Sequence, residues 1–203
     1  MSLIEVERKR ALTDVAALTK RMTAQGYQQT GTSVEVDTYY SRPDIDFMVT
    51  VECLRVRQRD GFAEITYKPA STSSTRSTSG VIAKRETNVV LAGQEQAIAA
   101  EELMAALGMV RLCRVEKTRT TFRHPGRDSV TVSIDRLAGV GAFAETEVMA
   151  IDKDAAATLL SQVERHLGLI DHTMVDLPYR DLVLEHERAA CAAPDRTRVL
   201  KFR

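Results

Sequence analysis

The sequence predicts an α+β fold: antiparallel strands rolled into a closed barrel, with helices packed on the outside. Three observations point there. Short alternating segments recur along the chain, three longer segments carry apolar residues at helical spacing and end in glycine, and the alternating segments repeatedly pair a charged or polar face with an apolar one. At 203 residues with 44% hydrophobic content the chain can bury one substantial core, so one domain is expected.

The elements follow in order. In "IEVERKR" (4–10) a strand places Glu5, Glu7 and Lys9 on one face and Ile4 and Val6 on the other. "ALTDVAALTKRMTAQG" has Leu12, Val15, Leu18 and Met22 at helical spacing and stops at Gly26, which suits a left-handed cap. In "LRVR" Arg55 and Arg57 oppose Leu54 and Val56, and in "EITYK" Lys68 shares a face with Glu64 and Thr66. "QEQAIAAEELMAALG" predicts a second amphipathic helix with Ile98, Leu103 and Leu107 on its apolar face, ending at Gly108. "RVEKTRTTFRHPGRDSVTVSID" predicts two strands joined by a turn at 124–127, with Pro125 and Gly126 as breakers. Its first strand aligns Lys117 with Arg119, and its second sets Val130, Val132 and Ile134 against Thr131, Ser133 and Asp135. "FAETEVM" puts Glu145 and Glu147 together, and "DKDAAATLLSQVERHLG" predicts a last helix with Leu159, Leu160, Val163 and Leu167, capped by Gly168.

Two architectures accommodate these charged faces. An open sheet covered on one side leaves them in water. A closed barrel turns the apolar faces out to the helices and encloses the charges. Enclosed ions cost several kcal/mol each to desolvate, so such an interior requires a charged ligand. Arginine forks and lysine point charges suit a polyanion such as a triphosphate. Carboxylates would repel that polyanion unless a hard cation such as Mg2+ or Mn2+ lay between them.

The ordered series "EVERK", "DTYY", "LRVR", "TYK", "RETNV", "EKTRTTF", "SIDRLAGVGAFAETE" and, more weakly, "LPYRDL" resembles the CYTH family of triphosphate tunnel metalloenzymes, which includes class IV adenylyl cyclases and thiamine triphosphatases. The resemblance covers about residues 3–186 and implies an eight-stranded antiparallel tunnel that binds a triphosphate with a divalent metal. It implies metal-binding roles for Glu5, Glu7, Asp135, Glu145 and Glu147, and phosphate-binding roles for Lys9, Arg55, Arg57, Lys68, Lys117 and Arg119. It also implies that Glu86 belongs to the lining; Arg85 is set opposite by alternation. In the triphosphatase branch a lysine and a tyrosine assist the attacking water, and Lys68 and Tyr39 resemble that pair; Tyr40 would face the other way.

Two reactions fit this cradle. A ribose 3'-hydroxyl could attack the α-phosphate of ATP, giving cyclic AMP and pyrophosphate, or water could attack the terminal phosphorus of tripolyphosphate or thiamine triphosphate. Vertebrate thiamine triphosphatases carry a tryptophan where this chain has Cys53, and this chain has no tryptophan. "PDIDFMVTVECLRVR" resembles the cyclase pattern more closely, so cyclisation is placed first. A polyphosphate-binding module without catalysis is the alternative of another class.

The remaining features exclude more than they assign. Lysine plus arginine equals aspartate plus glutamate at 28 each, so no global field recruits nucleic acid or an acidic membrane. Cys53, Cys113 and Cys191 form no CxxC pair, which argues against a zinc site or a disulfide framework and fits a cytoplasmic protein. No apolar run approaches the roughly 20 residues of a membrane span. The four histidines, His124, His166, His172 and His186, share no ligand spacing, and "GVG" at 139–141 reads as a turn. "STSSTRSTSG" (71–80) reads as a mobile loop or a lid, and 187–203 as a disordered basic tail. The expected partners are small triphosphates, with the chain a monomer or homodimer.

Overall fold

A computed structural model describes residues 4–71, 82–84 and 86–192. Arg85, nearly all of the 71–80 segment and residues 193–203 lie outside the described residues. Among the described residues, nine strands form one antiparallel sheet: β1 (Ile4–Leu12), β2 (Gln28–Ser41), β3 (Cys53–Arg59), β4 (Phe62–Lys68), β5 (Ile82–Lys84), β6 (Thr87–Leu91), β7 (Val110–Arg123), β8 (Val130–Leu137) and β9 (Gly141–Ala150). Their order is β5-β1-β9-β8-β7-β2-β3-β4-β6. The strands at the two ends of that order, β5 and β6, are consecutive in the chain, β5 pairing with β1 and β6 with β4. Together they take the place of one strand and complete the curled sheet, giving the eight-stranded arrangement expected from the sequence.

Five α-helices among the described residues surround it: α1 (Val15–Ala24), α2 (Phe47–Thr50), α3 (Gln96–Ala106), α4 (Lys153–His166) and α5 (Tyr179–Ala192). α5 carries helical structure six residues into the segment expected to be a disordered tail. The helix boundaries have local causes. Asp14 and Asp152 accept bonds from the free amides of the first turns of α1 and α4. Gly168 follows α4 in the left-handed region at φ 64°, and a Cβ there would also collide with Arg21, whose guanidinium bonds the Leu167 carbonyl at 2.8 Å.

The apolar strand faces point outward as expected. Val6, Val130, Val132, Ile134, Ala144 and Val148 pack under α1 and α4 with Leu18, Met22, Leu160 and Val163. On the other side of the barrel, Tyr40, Val56 and Ala63 pack under α3. Here one expectation is corrected: Ile98, Leu103 and Leu107 are 65%, 50% and 66% exposed, and α3 buries Ala97, Ala100 and Met104 instead. The helix is apolar on nearly every side, so periodicity could not select a face, and the small alanines allow closer approach to the sheet.

The outer face of β1 is also less apolar than its first residues imply. Arg8 and Arg10 follow Val6 on that face and both reach Glu164 of α4, at 2.8 and 2.7 Å, in a buried cluster. This cluster locks the strand that carries Glu5, Glu7 and Lys9 on its opposite side.

One end of the interior is not wet. Tyr39, Cys113, Val115, Leu137 and Phe143 turn inward there and meet Tyr179 of α5. The ring of Phe143 packs edge-on against that of Tyr179, with centroids 5.4 Å apart. The tunnel is therefore plugged at one end by apolar side chains and the C-terminal helix.

Candidate active site

The remaining interior is a cavity of about 290 Å³. Glu5, Glu7 and Lys9 reach it from β1, Tyr39 from β2, Arg55 and Arg57 from β3, Lys68 from β4, Lys117 and Arg119 from β7, and Glu145 and Glu147 from β9. Glu86, between β5 and β6, completes the expected lining. Alternation makes this possible: register pairs Glu7 with Glu147, Lys9 with Glu145, and Tyr39 with Arg55, so like-facing residues of distant segments become neighbours. Tyr40 faces outward into the core under α3.

Asp135 is the exception. It is 0% exposed and lies on the inner face of β8 beneath the lining cations, bound in a bidentate pair by Arg119 Nε at 2.7 Å and Nη2 at 2.5 Å, and by Lys117 Nζ at 3.3 Å. Both of its oxygens hold cations, so in this arrangement it positions Arg119 and Lys117 and is covered by them rather than exposed to the cavity.

Two acids of the site were not singled out from the sequence, Glu35 and Asp37 of β2. Asp37 accepts from Arg57 Nε and Nη2, both at 2.7 Å, and from Arg55 Nη1 at 3.4 Å. Glu35 pairs with Arg57 and Lys117, each at 3.2 Å. Charges therefore alternate across five strands in the order Arg55, Asp37, Arg57, Glu35, Lys117, Asp135, Arg119, Glu145, the last two also in contact. Alternation could have found both acids, because Glu35, Asp37 and Tyr39 share one face of β2.

The electrostatics divide the cavity into two regions. In the alternating network, burial opposes ionisation of Asp37, yet Arg55 and Arg57 hold its carboxyl well below the usual range. Against the same opposition, Arg119, Lys117 and Lys9 hold Glu145 at about 2, and Lys68 and Arg55 hold Glu86 at about 2. The acidic corner behaves oppositely. Burial, with the charges of Glu7, Glu147 and Glu86 adding and Lys68 opposing, pushes Glu5 up to about 8. Burial and Glu7 raise Glu147 in the same direction.

Oxygen donors that repel one another in a buried corner are the donor chemistry a hard divalent cation takes. Glu5, Glu7 and Glu147 fit that cation by type and by facing one cavity. Among the described residues, no three acids, histidines or cysteines are already gathered as a ready-made metal site.

These shifts predict the pH dependence of stability. Glu145 and Glu86, depressed in the fold, stabilise it above the ordinary carboxylate range, and that contribution is lost as pH falls toward 2. Glu5, raised in the fold, favours folding below about 4.5, and its contribution is lost as pH rises to about 8. Metal-free protein should therefore melt highest near pH 4–5, and Mg2+ should raise the melting temperature more at pH 8 than at pH 5. Equal Mg2+ effects at the two values would show that these acids do not converge on the ion.

A second group of missed residues comes from the C-terminal side. After α4 the chain hydrogen-bonds along β1, Ala11 N donating to Thr173 O at 2.9 Å and Val175 N to Lys9 O at 3.0 Å. This delivers Tyr179 and Arg180 to the cavity wall. Arg180 is buried and ties the start of α5 to the α2–β3 corner through the Glu52 carbonyl at 2.8 Å. The ring of Tyr179 lies under two ammonium groups, Lys9 Nζ at 4.0 Å and Lys117 Nζ at 5.0 Å from its centroid.

A curled antiparallel barrel with helices outside and paired cations and carboxylates inside leaves one charged chamber at its centre. The CYTH domain model matches residues 3–176, and the chain belongs to the CYTH family. It is 24% identical over 183 residues to the Methanocaldococcus jannaschii protein named "Putative adenylate cyclase MJ0240", spanning 89% of this chain and 98% of the relative. The PH1819 protein of Pyrococcus horikoshii OT3 shares the fold at a TM-score of 0.73 with 25% identity, covering 89% of this chain and 98% of that one. A Hippeastrum protein described as "Putative adenylyl cyclase HpAC1" with a dominant triphosphatase activity superposes at a TM-score of 0.57 with 17% identity, over 81% and 88% of the two chains. The family's triphosphate tunnel enzymes are generally dependent on a divalent metal. Among the described residues, no helix is long and apolar enough to cross a membrane.

Proposed function

We propose that the cavity binds the triphosphate chain of a small molecule together with Mg2+ or Mn2+, and that the protein hydrolyses the terminal phosphate. The observation that carries this reading is the convergence of Lys9, Arg55, Arg57, Lys68, Lys117 and Arg119 on one cavity sealed at its inner end. Glu5, Glu7 and Glu147 would hold the metal, which supplies positive charge to phosphate oxygens when bound. Asp37, Glu35 and Asp135 keep the cations in place before the substrate arrives, so little reorganisation is left for the reaction itself.

Lys68 stabilises charge in this scheme and does not act as a base. Burial works against its ammonium, but Glu7, Glu5 and Glu86 hold it protonated well above its ordinary range. Tyr39 is likewise held in the phenol form by burial and by Asp37, whose carboxylate accepts its hydroxyl at 3.3 Å. The pair can orient a water and stabilise the developing charge without removing a proton.

Hydrolysis is placed ahead of cyclisation, reversing the order expected from the sequence. The cavity lies at the lower end of the roughly 300–1,000 Å³ that encloses a drug-sized ligand, which suits a triphosphate chain better than a whole nucleotide. Cyclisation needs the ribose held in line with the α-phosphorus, and among the described residues the aromatic rings of the lining are Tyr39 and Tyr179, both held by partners of the charged network. The second reading, formation of cyclic AMP from ATP, draws on the name of the M. jannaschii relative. It also draws on Val51, Glu52 and Cys53, the cyclase-like stretch, which form part of the cavity wall.

A panel of tripolyphosphate, thiamine triphosphate, ATP and GTP, each with Mg2+ and Mn2+, tests the order. Orthophosphate from tripolyphosphate in excess of any cyclic nucleotide is expected. Cyclic AMP with pyrophosphate as the main products would establish cyclisation, and retention of tripolyphosphate without turnover of any substrate would establish a binding module.

A further inference from the structure

Tyr179 carries one of the buried, unpartnered polar atoms of the cavity lining, beside Arg8 Nε, Arg55 Nε and Ser71 Oγ, and among these it alone is a hydroxyl on an aromatic ring. It is 7% exposed, lines the chamber, and comes from α5, beyond the 3–176 segment that the family model matches. Its hydroxyl is buried without a hydrogen-bond partner among the described residues. Burial, and after it the charges of Glu145 and Asp135, raise the phenol well above its ordinary range. Asp135 is the nearest acceptor and adds to that rise, yet the hydroxyl makes no hydrogen bond of ordinary geometry to it while Arg119 and Lys117 draw the carboxylate toward themselves.

A buried hydroxyl left without a partner costs stability, and such groups are rare in native folds. The contrast with Tyr39 is instructive, because that hydroxyl already donates to Asp37. The Tyr179 ring is fixed as well. Lys9 and Lys117 sit over it and Phe143 packs against its edge, so the hydroxyl is held in one place by contacts it does not itself make.

We infer that Tyr179 is a ligand-binding residue of the chamber, its hydroxyl donating a hydrogen bond to an oxygen of the bound triphosphate while its ring holds the ammonium of Lys9 against the same ligand. Lys9 suits this arrangement, because it forms no salt bridge with any described carboxylate. Burial lowers its pKa while Glu145 and Glu7 favour its charge. The C-terminal helix then contributes to recognition as well as sealing the barrel.

This inference rests on the proposed triphosphate site. Tyr179→Phe keeps the ring and removes only the hydroxyl. Calorimetric titration with sodium tripolyphosphate, with and without Mg2+, and melting of the ligand-free protein together separate the outcomes. The variant is expected to bind tripolyphosphate about ten- to a hundredfold more weakly, the loss of one hydrogen bond to a charged group. Its ligand-free melting temperature should be unchanged or higher, because a buried orphan hydroxyl has gone. A lower ligand-free melting temperature with unchanged affinity would make the hydroxyl structural and overturn the inference. Unchanged affinity in both forms would overturn it while leaving the triphosphate site standing. Failure of the unsubstituted protein to bind tripolyphosphate would remove both together.

Discussion

Replacing Asp37 with alanine is expected to cost the fold about 3–5 kcal/mol, the penalty of leaving buried charges without their partner. Arg57 would lose two bonds of 2.7 Å and Arg55 its contact at 3.4 Å, and both guanidiniums stay charged at any accessible pH. Glu35 cannot compensate, because it already serves Arg57, Lys117 and Arg59. For a chain of this size the melting temperature should fall by roughly 10 °C, and urea unfolding should show the loss directly. The loss should shrink in tripolyphosphate, whose oxygens replace the missing carboxylate. A variant as stable as the parent would mean that the alternating network carries no energetic weight.

Replacing Lys68 with methionine is expected to lower kcat for tripolyphosphate hydrolysis by about 10²–10³-fold, the range for removing one preorganised electrostatic donor. Stability should change far less than in the Asp37 variant. The partners Lys68 leaves behind, Glu5 and Glu86, are carboxylates that can take up protons, and burial already pushes Glu5 up to about 8. Steady-state kinetics beside a melting curve separates the two effects. A fall in stability matching the fall in rate would assign Lys68 a structural role.

These two sites also mark where sequence reading succeeds and where it stops. Lys68, Arg55, Arg57, Lys117, Arg119, Glu145 and Glu147 were legible, because each sits on a segment whose alternation shows the face it shares. Asp37 and Glu35 lie on such a segment too, but "SVEVDTYY" was read only from its tyrosines. The exposed Ile98, Leu103 and Leu107 were misread for the opposite reason: α3 is apolar nearly all round, and a face exists only once a neighbour is present. Arg8 and Arg10 lie beyond pattern altogether, since their burial depends on Glu164, more than 150 residues away.

The sequence by itself determined what acts over a few residues: the period-2 faces of the strands, the aspartate and glycine ends of the helices, and the two sets of charged groups. The tertiary structure decided which charge neutralises which, that Asp135 is buried beneath Arg119 and Lys117, and that α5 closes one end of the chamber with Tyr179. Backbone alternation and capping are local, whereas ion pairing falls off with distance and is shaped by burial, so it takes effect only when register has brought distant strands together.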